Sequence, residues 1–201
     1  MVEIKKIGAG APYASNCYII ISADECAIVD PSVPYDGDYL NGKTLKYILI
    51  THAHFDHFLE IDSWISETNA TVFVSNDDRE ALSDSFKNCN LIFLVKEFGY
   101  YGDATTLSAG DTIELGDERI TADIYPGHTV GSTVYTVGNN AFVGDVVFAG
   151  GGFGRTDLPG GNAKSMLESI KRITLLDNST VLYPGHGNIT TVLEYKKHLN
   201  F

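Results

Sequence analysis

The feature that most constrains this chain is where its histidines fall, at the points where apolar runs break into loops. Thr51-His52-Ala53-His54-Phe55-Asp56-His57 puts four potential metal ligands within six positions, directly after the apolar run Tyr47-Ile48-Leu49-Ile50. His128 follows in Tyr125-Pro126-Gly127-His128-Thr129, and His186 in Tyr183-Pro184-Gly185-His186-Gly187. Asp145 closes Ala141-Phe142-Val143-Gly144-Asp145. Of the 6 histidines only His198 stands apart from this scheme. A fold that buries these strands must gather their ends, and with them the imidazoles and carboxylates.

Neutral imidazole and carboxylate suit zinc, iron or manganese. Alternate residues of an extended segment point the same way, so His52 and His54 can approach one ion. Asp56 and His57 are adjacent and face different ways or a second ion. One open site uses three or four protein ligands, so His52, His54, Asp56, His57, His128, Asp145 and His186 are too many for a single ion. Two ions bridged by Asp145 account for the surplus; spacing alone leaves open which ligand serves which ion. Two metals about 3.5–4 Å apart can share a hydroxide, because a bound metal lowers the pKa of water to about 7. That hydroxide can attack a carbonyl with no Ser or Cys nucleophile. Asp56 and Asp145 are the candidate catalytic carboxylates. A lone histidine at a strand end is more often a hydrogen-bonded core residue, a reading that does not extend to the whole set.

Lys+Arg of 14 against Asp+Glu of 26 gives a formal charge of -12. Such a surface repels phosphate backbones and anionic membranes, so neither nucleic acid nor membrane is an expected partner. Cys17, Cys26 and Cys89 are widely spaced with no C-x-x-C pair, as expected of small buried hydrophobes in a reduced compartment. No run has the length or flanks of a membrane span or a cleaved leader, and the expected location is the cytoplasm.

Along the chain, residues 16–21 and 26–30 read as a hairpin, 46–51 as a strand buried on both faces, and 58–67 as a helix with Phe58, Ile61 and Ile65 on one side. Residues 70–74 read as a strand, followed by a helix from Asp77 capped by Asn76 or Asp77. Residues 112–115 with 119–125, and 133–137 with 141–143, read as two more hairpins. Asn162 to Thr174 is the clearest amphipathic helix, with Met166, Ile170 and Ile173 on its apolar face. A strand over 180–183 and a helix over 191–199 complete the pattern, which predicts two stacked sheets covered by helices in one domain spanning 1–201. The run Gly150-Gly151-Gly152-Phe153-Gly154-Arg155 fits neither nucleotide-binding glycine motif and reads as a loop passing close to the metals. Arg155 either pairs with Asp157 or meets an anionic substrate, the pairing being favoured.

The segment Thr51 to His57 resembles the H-x-H-x-D-H signature of the metallo-β-lactamase superfamily, and the His128, Asp145 and His186 motifs match its remaining ligand motifs in order. Within that superfamily the chain is most similar to short, single-domain glyoxalase II-like hydrolases, through Gly154-Arg155-Thr156-Asp157-Leu158-Pro159-Gly160-Gly161. The resemblance implies an α/β (α+β) fold, the αβ/βα sandwich of two mixed sheets flanked by helices. It implies that His52, His54 and His128 hold one metal and Asp56, His57 and His186 the other, with Asp145 shared. The implied cofactors are two divalent transition-metal ions, zinc first and iron or manganese next, and the implied substrate is a small thioester or ester.

Three departures from the pattern matter. Phe58-Leu59-Glu60 replaces the glycines that commonly follow the signature, which would alter helix packing beside the metals. The sequence ends at Phe201, before the C-terminal helical region through which full-length glyoxalase II enzymes grip glutathione, so a weak hold on the thiol half is expected. No Cys stands at a ligand position, which resembles the thioester-hydrolysing branch more than the zinc β-lactamases with a Cys ligand. The alternative function is that of a mononuclear-iron persulfide dioxygenase, which shares the fold and much of the ligand set. An RNA phosphodiesterase, a third activity of the superfamily, is disfavoured by the acidic charge.

Overall fold

The computed structural model describes residues 2–8 and 13–199. Strict alternation along the central strands builds it. In β2 (Cys17–Ser22), Ile19 and Ile21 enter one core while Tyr18 and Ile20 enter another. In β3 (Glu25–Val29), Cys26 and Ile28 follow the first pair, and Ala27 and Val29 the second. Side chains with a period of two cover both faces of a sheet, so a strand apolar at every position must be sandwiched.

Two six-stranded sheets result. The first runs in the order β1 (Glu3–Gly8), β2, β3, β4 (Thr44–Leu49), β5 (Thr71–Ser75) and β6 (Thr105–Leu107). Its β1–β2–β3 part is antiparallel and its β3–β4–β5–β6 part parallel. The second comprises β7 (Asp111–Leu115), β8 (Glu118–Ile124), β9 (Thr133–Val137), β10 (Asn140–Gly144), β11 (Val181–Pro184) and β12 (Thr190–Thr191), in sequential order across the sheet. Only its β10–β11 pairing is parallel. The inner core between the sheets takes Tyr18, Ile20, Val29 and Leu49 from the first, and Ile120, Tyr135, Val137 and Phe142 from the second. On the outer face of the first sheet lies α1 (Ile61–Thr68), whose fully buried Trp64 donates from Nε1 to the Val33 carbonyl at 2.7 Å. On the outer face of the second lie α3 (Ala163–Thr174) and α4 (Val192–Lys197), burying Met166, Ile170, Ile173, Val192 and Tyr195. This is the expected αβ/βα sandwich. Asn162 caps α3 by accepting from the Ser165 amide at 2.9 Å.

The helix expected from Asp77 does not form. Residues Asn76–Asp78 and Glu80–Leu82 are single 3₁₀ turns, the first capped by Ser75 accepting from the Asp78 amide at 3.1 Å. The reason is tertiary: Asp78 is buried and accepts from the Ala53 amide (3.1 Å), the Thr129 hydroxyl (2.7 Å) and the Gly131 amide (2.9 Å). A buried carboxylate with three donors outweighs local helix propensity. The helix read over 58–67 begins later, at Ile61. A short helix that the periodicity did not signal, α2 (Asn90–Leu94), stands after Cys89. Among the described residues no helix is long and apolar enough to cross a membrane. Cys17, Cys26 and Cys89 are all buried and unbridged.

Candidate metal centre

The parallel part of the first sheet and the parallel pair of the second end at the same edge of the sandwich, the place where α/β folds bind ligands. Backbone bonds hold the edge together: the Thr133 amide donates to the Thr51 carbonyl at 2.7 Å, and the Gly185 amide to the Gly144 carbonyl at 2.8 Å. His52, His54, Asp56 and His57 follow β4, Asp145 follows β10, and His186 follows β11. His128 sits in the turn between β8 and β9.

All seven candidate ligands converge there. Three groups have ligand atoms within 4.8 Å of one another: His52, His54 and His128; His52, His57 and Asp145; and Asp56, His57 and His186. In the first, His54 Nδ1 lies 3.1 Å from His52 Nε2 and 2.8 Å from His128 Nε2. In the third, His186 Nε2 lies 3.1 Å from Asp56 Oδ2, and His57 Nε2 3.7 Å from the same oxygen. His198 is exposed at the end of α4 and belongs to none of these groups.

The outer nitrogens decide whether the cluster suits metal. His128 Nδ1 lies 2.7 Å from the Arg155 carbonyl, an acceptor only, so Nδ1 carries the proton and Nε2 turns a lone pair inward. His57 Nδ1 donates to Asp30 Oδ2 at 2.8 Å, turning Nε2 inward. The Thr51 hydroxyl gives its proton to Asp30 Oδ2 (2.8 Å) and therefore accepts from His52 Nδ1 at 3.2 Å. The inward nitrogens of His128 and His52 are thus lone pairs fixed by outer partners, and Asp30 orients His57 so that an ion displacing its Nε2 proton would meet the same arrangement, the one found around metal-bound histidine. His57 Nε2 and Asp145 Oδ1 are buried without a hydrogen-bond partner among the described residues. Unpaired buried polar atoms are costly, and ion coordination is what satisfies them. The residues fit a divalent metal centre.

Charge in the cluster follows from burial and neighbours. Burial, reinforced by the surrounding imidazoles, holds His52 and His54 well below the ordinary histidine range, in the neutral form that ligates. Burial works against a charged His57, but Asp30, Asp56 and Asp145 together raise it to about 10. Burial likewise opposes an ionised Asp56, yet His57 and His186 hold it down at about 2. Burial pushes the Cys89 thiol up to about 11, so it is no nucleophile at neutral pH. Arg155 forms the pairing with Asp157, Nε and one terminal nitrogen each lying 2.7 Å from a carboxylate oxygen. The glycine run passes against the cluster as expected, since a Cβ on Gly154 would strike the Asp145 carbonyl and the His128 ring.

Asp30 is the residue the sequence reading missed. It ends an apolar strand, is buried, and serves His57, the Thr51 amide (2.8 Å) and the Thr51 hydroxyl at once. Its φ of 54° is left-handed backbone, which Asp tolerates better than most residues. Asp30→Asn keeps that tolerance and removes the charge. It is expected to cost about 10–100-fold in metal affinity, as losses of such outer partners do. Titration of metal into the variant checks this, and wild-type affinity would show that His57 needs no such support.

A cluster of histidines and carboxylates at the edge of an αβ/βα sandwich defines a class of metal-dependent proteins. The profile of the metallo-beta-lactamase superfamily matches residues 10–186, and the chain belongs to that superfamily. Among relatives, it is 33% identical over 191 residues to "Probable metallo-hydrolase YqgX" of Bacillus subtilis (strain 168), covering 90% of this chain and 89% of that protein. The crystal structure of the BLEG-1 B3 metallo-beta-lactamase matches with a TM-score of 0.89 and 29% identity, over 98% of this chain and 97% of that one. TTHA1623, solved in a di-iron-bound form, shares the fold with a TM-score of 0.81 and 24% identity, over 98% of both chains.

Proposed function

We propose that this chain is a dinuclear metal-dependent hydrolase of the glyoxalase II-like kind, cleaving a small thioester or ester. The observation that carries the reading is the position of Asp145 between two ligand trios. Its Oδ1 is 3.5 Å from His57 Nε2, while its Oδ2 is 3.5 Å from His128 Nε2 and 3.7 Å from His186 Nε2. A carboxylate facing both trios suits a shared ligand. In this reading His52, His54 and His128 would hold one ion, Asp56, His57 and His186 the other, and Asp145 both, with zinc as the metal. Two such ions supply polarisation of a carbonyl oxygen and lower the pKa of water to about 7. The chain's own residues orient that chemistry. Asp30 keeps a proton on His57 Nδ1, and the Arg155 carbonyl keeps one on His128 Nδ1. Asp56 and Asp145 are the catalytic carboxylates of this proposal. Three buried, unbridged cysteines support a cytoplasmic enzyme. A small-molecule substrate, without nucleic acid or membrane as a partner, accords with the charge of -12.

Elemental analysis with a hydrolysis screen tests the proposal. Purified protein supplemented with zinc is expected to carry about two ions per chain, the usual complement of a two-metal hydrolase. It should also turn over S-lactoylglutathione and simple acyl thioesters. A single iron per chain, unchanged by supplementation, would turn the reading to the persulfide dioxygenase. Turnover of β-lactams without any thioester would turn it to the activity named for BLEG-1.

A further inference from the structure

The cavity above the ligand cluster has a hydrocarbon wall. Its volume is about 280 Å³, and Phe55, Cys89, Phe93, Phe148 and Leu158 line it beside His54, Asp56, Asp145 and His186. The rings of Phe55 and Phe93 lie 6.3 Å apart between centroids. Phe93 belongs to α2, and that helix continues the wall outward. Leu91, Ile92, Phe93 and Leu94 are 41–47% exposed, and Val95 is 83% exposed. Single exposed apolar residues are ordinary; five in succession beside a reaction centre form a contiguous patch of the sort that marks binding.

The backbone bounding α2 is strained. Cys89 and Val95, on either side of the helix, have φ of 67° and 52°, left-handed values that are uncommon for any residue but glycine and an outlier for the β-branched Val95. Strain of this kind persists where the fold holds a segment for function. The cavity's guanidinium is already paired. Arg155, the one Lys or Arg among the described residues lining the cavity, is forked onto Asp157 and stands 5.8 Å over the Phe93 ring. Among the described residues lining the cavity, no Lys or Arg is left unpaired to meet a second carboxylate of the substrate. The occupant that suits this face is part of the substrate, because the wall is continuous with the cavity holding the ligands and Phe93 belongs to both.

Resting on the hydrolase reading above, we propose that the cavity and α2 hold a hydrocarbon arm of the substrate, aliphatic or aromatic, attached next to the scissile bond. The enzyme thereby prefers substrates that carry such an arm, on either half, over those that lack it.

Two thioester series read this out in the metal-loaded protein: acetyl to octanoyl on a constant N-acetylcysteamine, and acetyl on ethanethiol to octanethiol. The expected result is a kcat/KM rising about two- to threefold per methylene in one series, below the roughly fourfold of complete burial. The series that rises identifies the half of the substrate held. Phe93→Ala and Leu94→Ser should flatten that rise. Leu175→Ala, 84% exposed at the end of α3, should leave it intact. A flat response in both series overturns the proposal, as does self-association abolished by Leu94→Ser with neither series affected. Binding of 1-alkanols from butanol to octanol, followed by NMR, needs no turnover. If no thioester is hydrolysed, the hydrolase reading fails separately. An affinity that rises with alkanol length and is lost in Phe93→Ala still supports the arm, and one independent of length overturns it.

Discussion

Asp145→Ala is expected to lower the proposed thioester hydrolysis by more than about a hundredfold, beyond the 10–100-fold typical of losing an outer partner of a metal ligand. The geometry sets the size of the effect. Asp145 follows the last residue of β10, and its amide neighbours fix it: the Gly154 amide donates to its carbonyl at 2.9 Å. One oxygen faces His57 and the other faces His128 and His186. Among the described residues no other carboxylate of the cluster approaches both trios, since Asp56 groups only with His57 and His186. Alanine therefore weakens both halves together. The isosteric Asp145→Asn keeps the volume, so a comparable loss there assigns the effect to charge rather than packing. Metal content should fall with activity in both variants. His198→Ala, outside every group, should retain wild-type rate and metal content. Equal effects from Asp145→Ala and His198→Ala would mean that the cluster is not the reaction centre.

The cluster of candidate ligands was legible because its parts are local. His52, His54, Asp56 and His57 are nearly contiguous, and the other three each end an apolar run, so no long-range inference was needed to suspect them. The sandwich was legible for a related reason: β2 and β3 are apolar on both faces and demand cover on both. What stayed hidden depends on distant partners. Asp30 is one carboxylate at a strand end, and only folding brings it to Thr51 and His57, 21 and 27 positions away. Its sequence signal is no stronger than that of any Asp in a loop. Asp78 misled in the opposite direction. Asn76 and Asp77 look like helix caps, but the carboxylate beside them is drawn to Ala53, Thr129 and Gly131, and the chain turns instead of coiling. The α2 helix was missed because its five residues are too few to show a period and its ends carry left-handed residues rather than a capping side chain. The expectation of glycine close to the ligands was right in kind, and Gly185 carries it furthest.

Gly185→Ala is expected to abolish the centre while leaving the sandwich folded. Gly185 joins β11 to His186; its amide donates to the Gly144 carbonyl at 2.8 Å and its carbonyl accepts from the Asn16 amide at 2.6 Å. Its φ is not among the left-handed values, so alanine meets no backbone penalty there. The obstacle is entirely steric. A Cβ at this position would collide with Asp145 Oδ1 and with the His57 ring. Neither can give way cheaply: His57 is fully buried and tied to Asp30, and Asp145 has a short side chain with few rotamers to take. Overpacking of this kind costs about 1–3 kcal/mol of stability. For a domain of this size that lowers Tm by about 2–12 °C. The rate should fall by more than about a hundredfold, because the carboxylate that moves is the one between the trios. Separating the two readouts is the point of the experiment: circular dichroism should report a folded protein with a modestly lower Tm, while metal content and hydrolysis collapse together. Wild-type activity in Gly185→Ala would mean that Asp145 and His57 do not close over Gly185 as described, and the assignment of Asp145 as the shared ligand would fall with it.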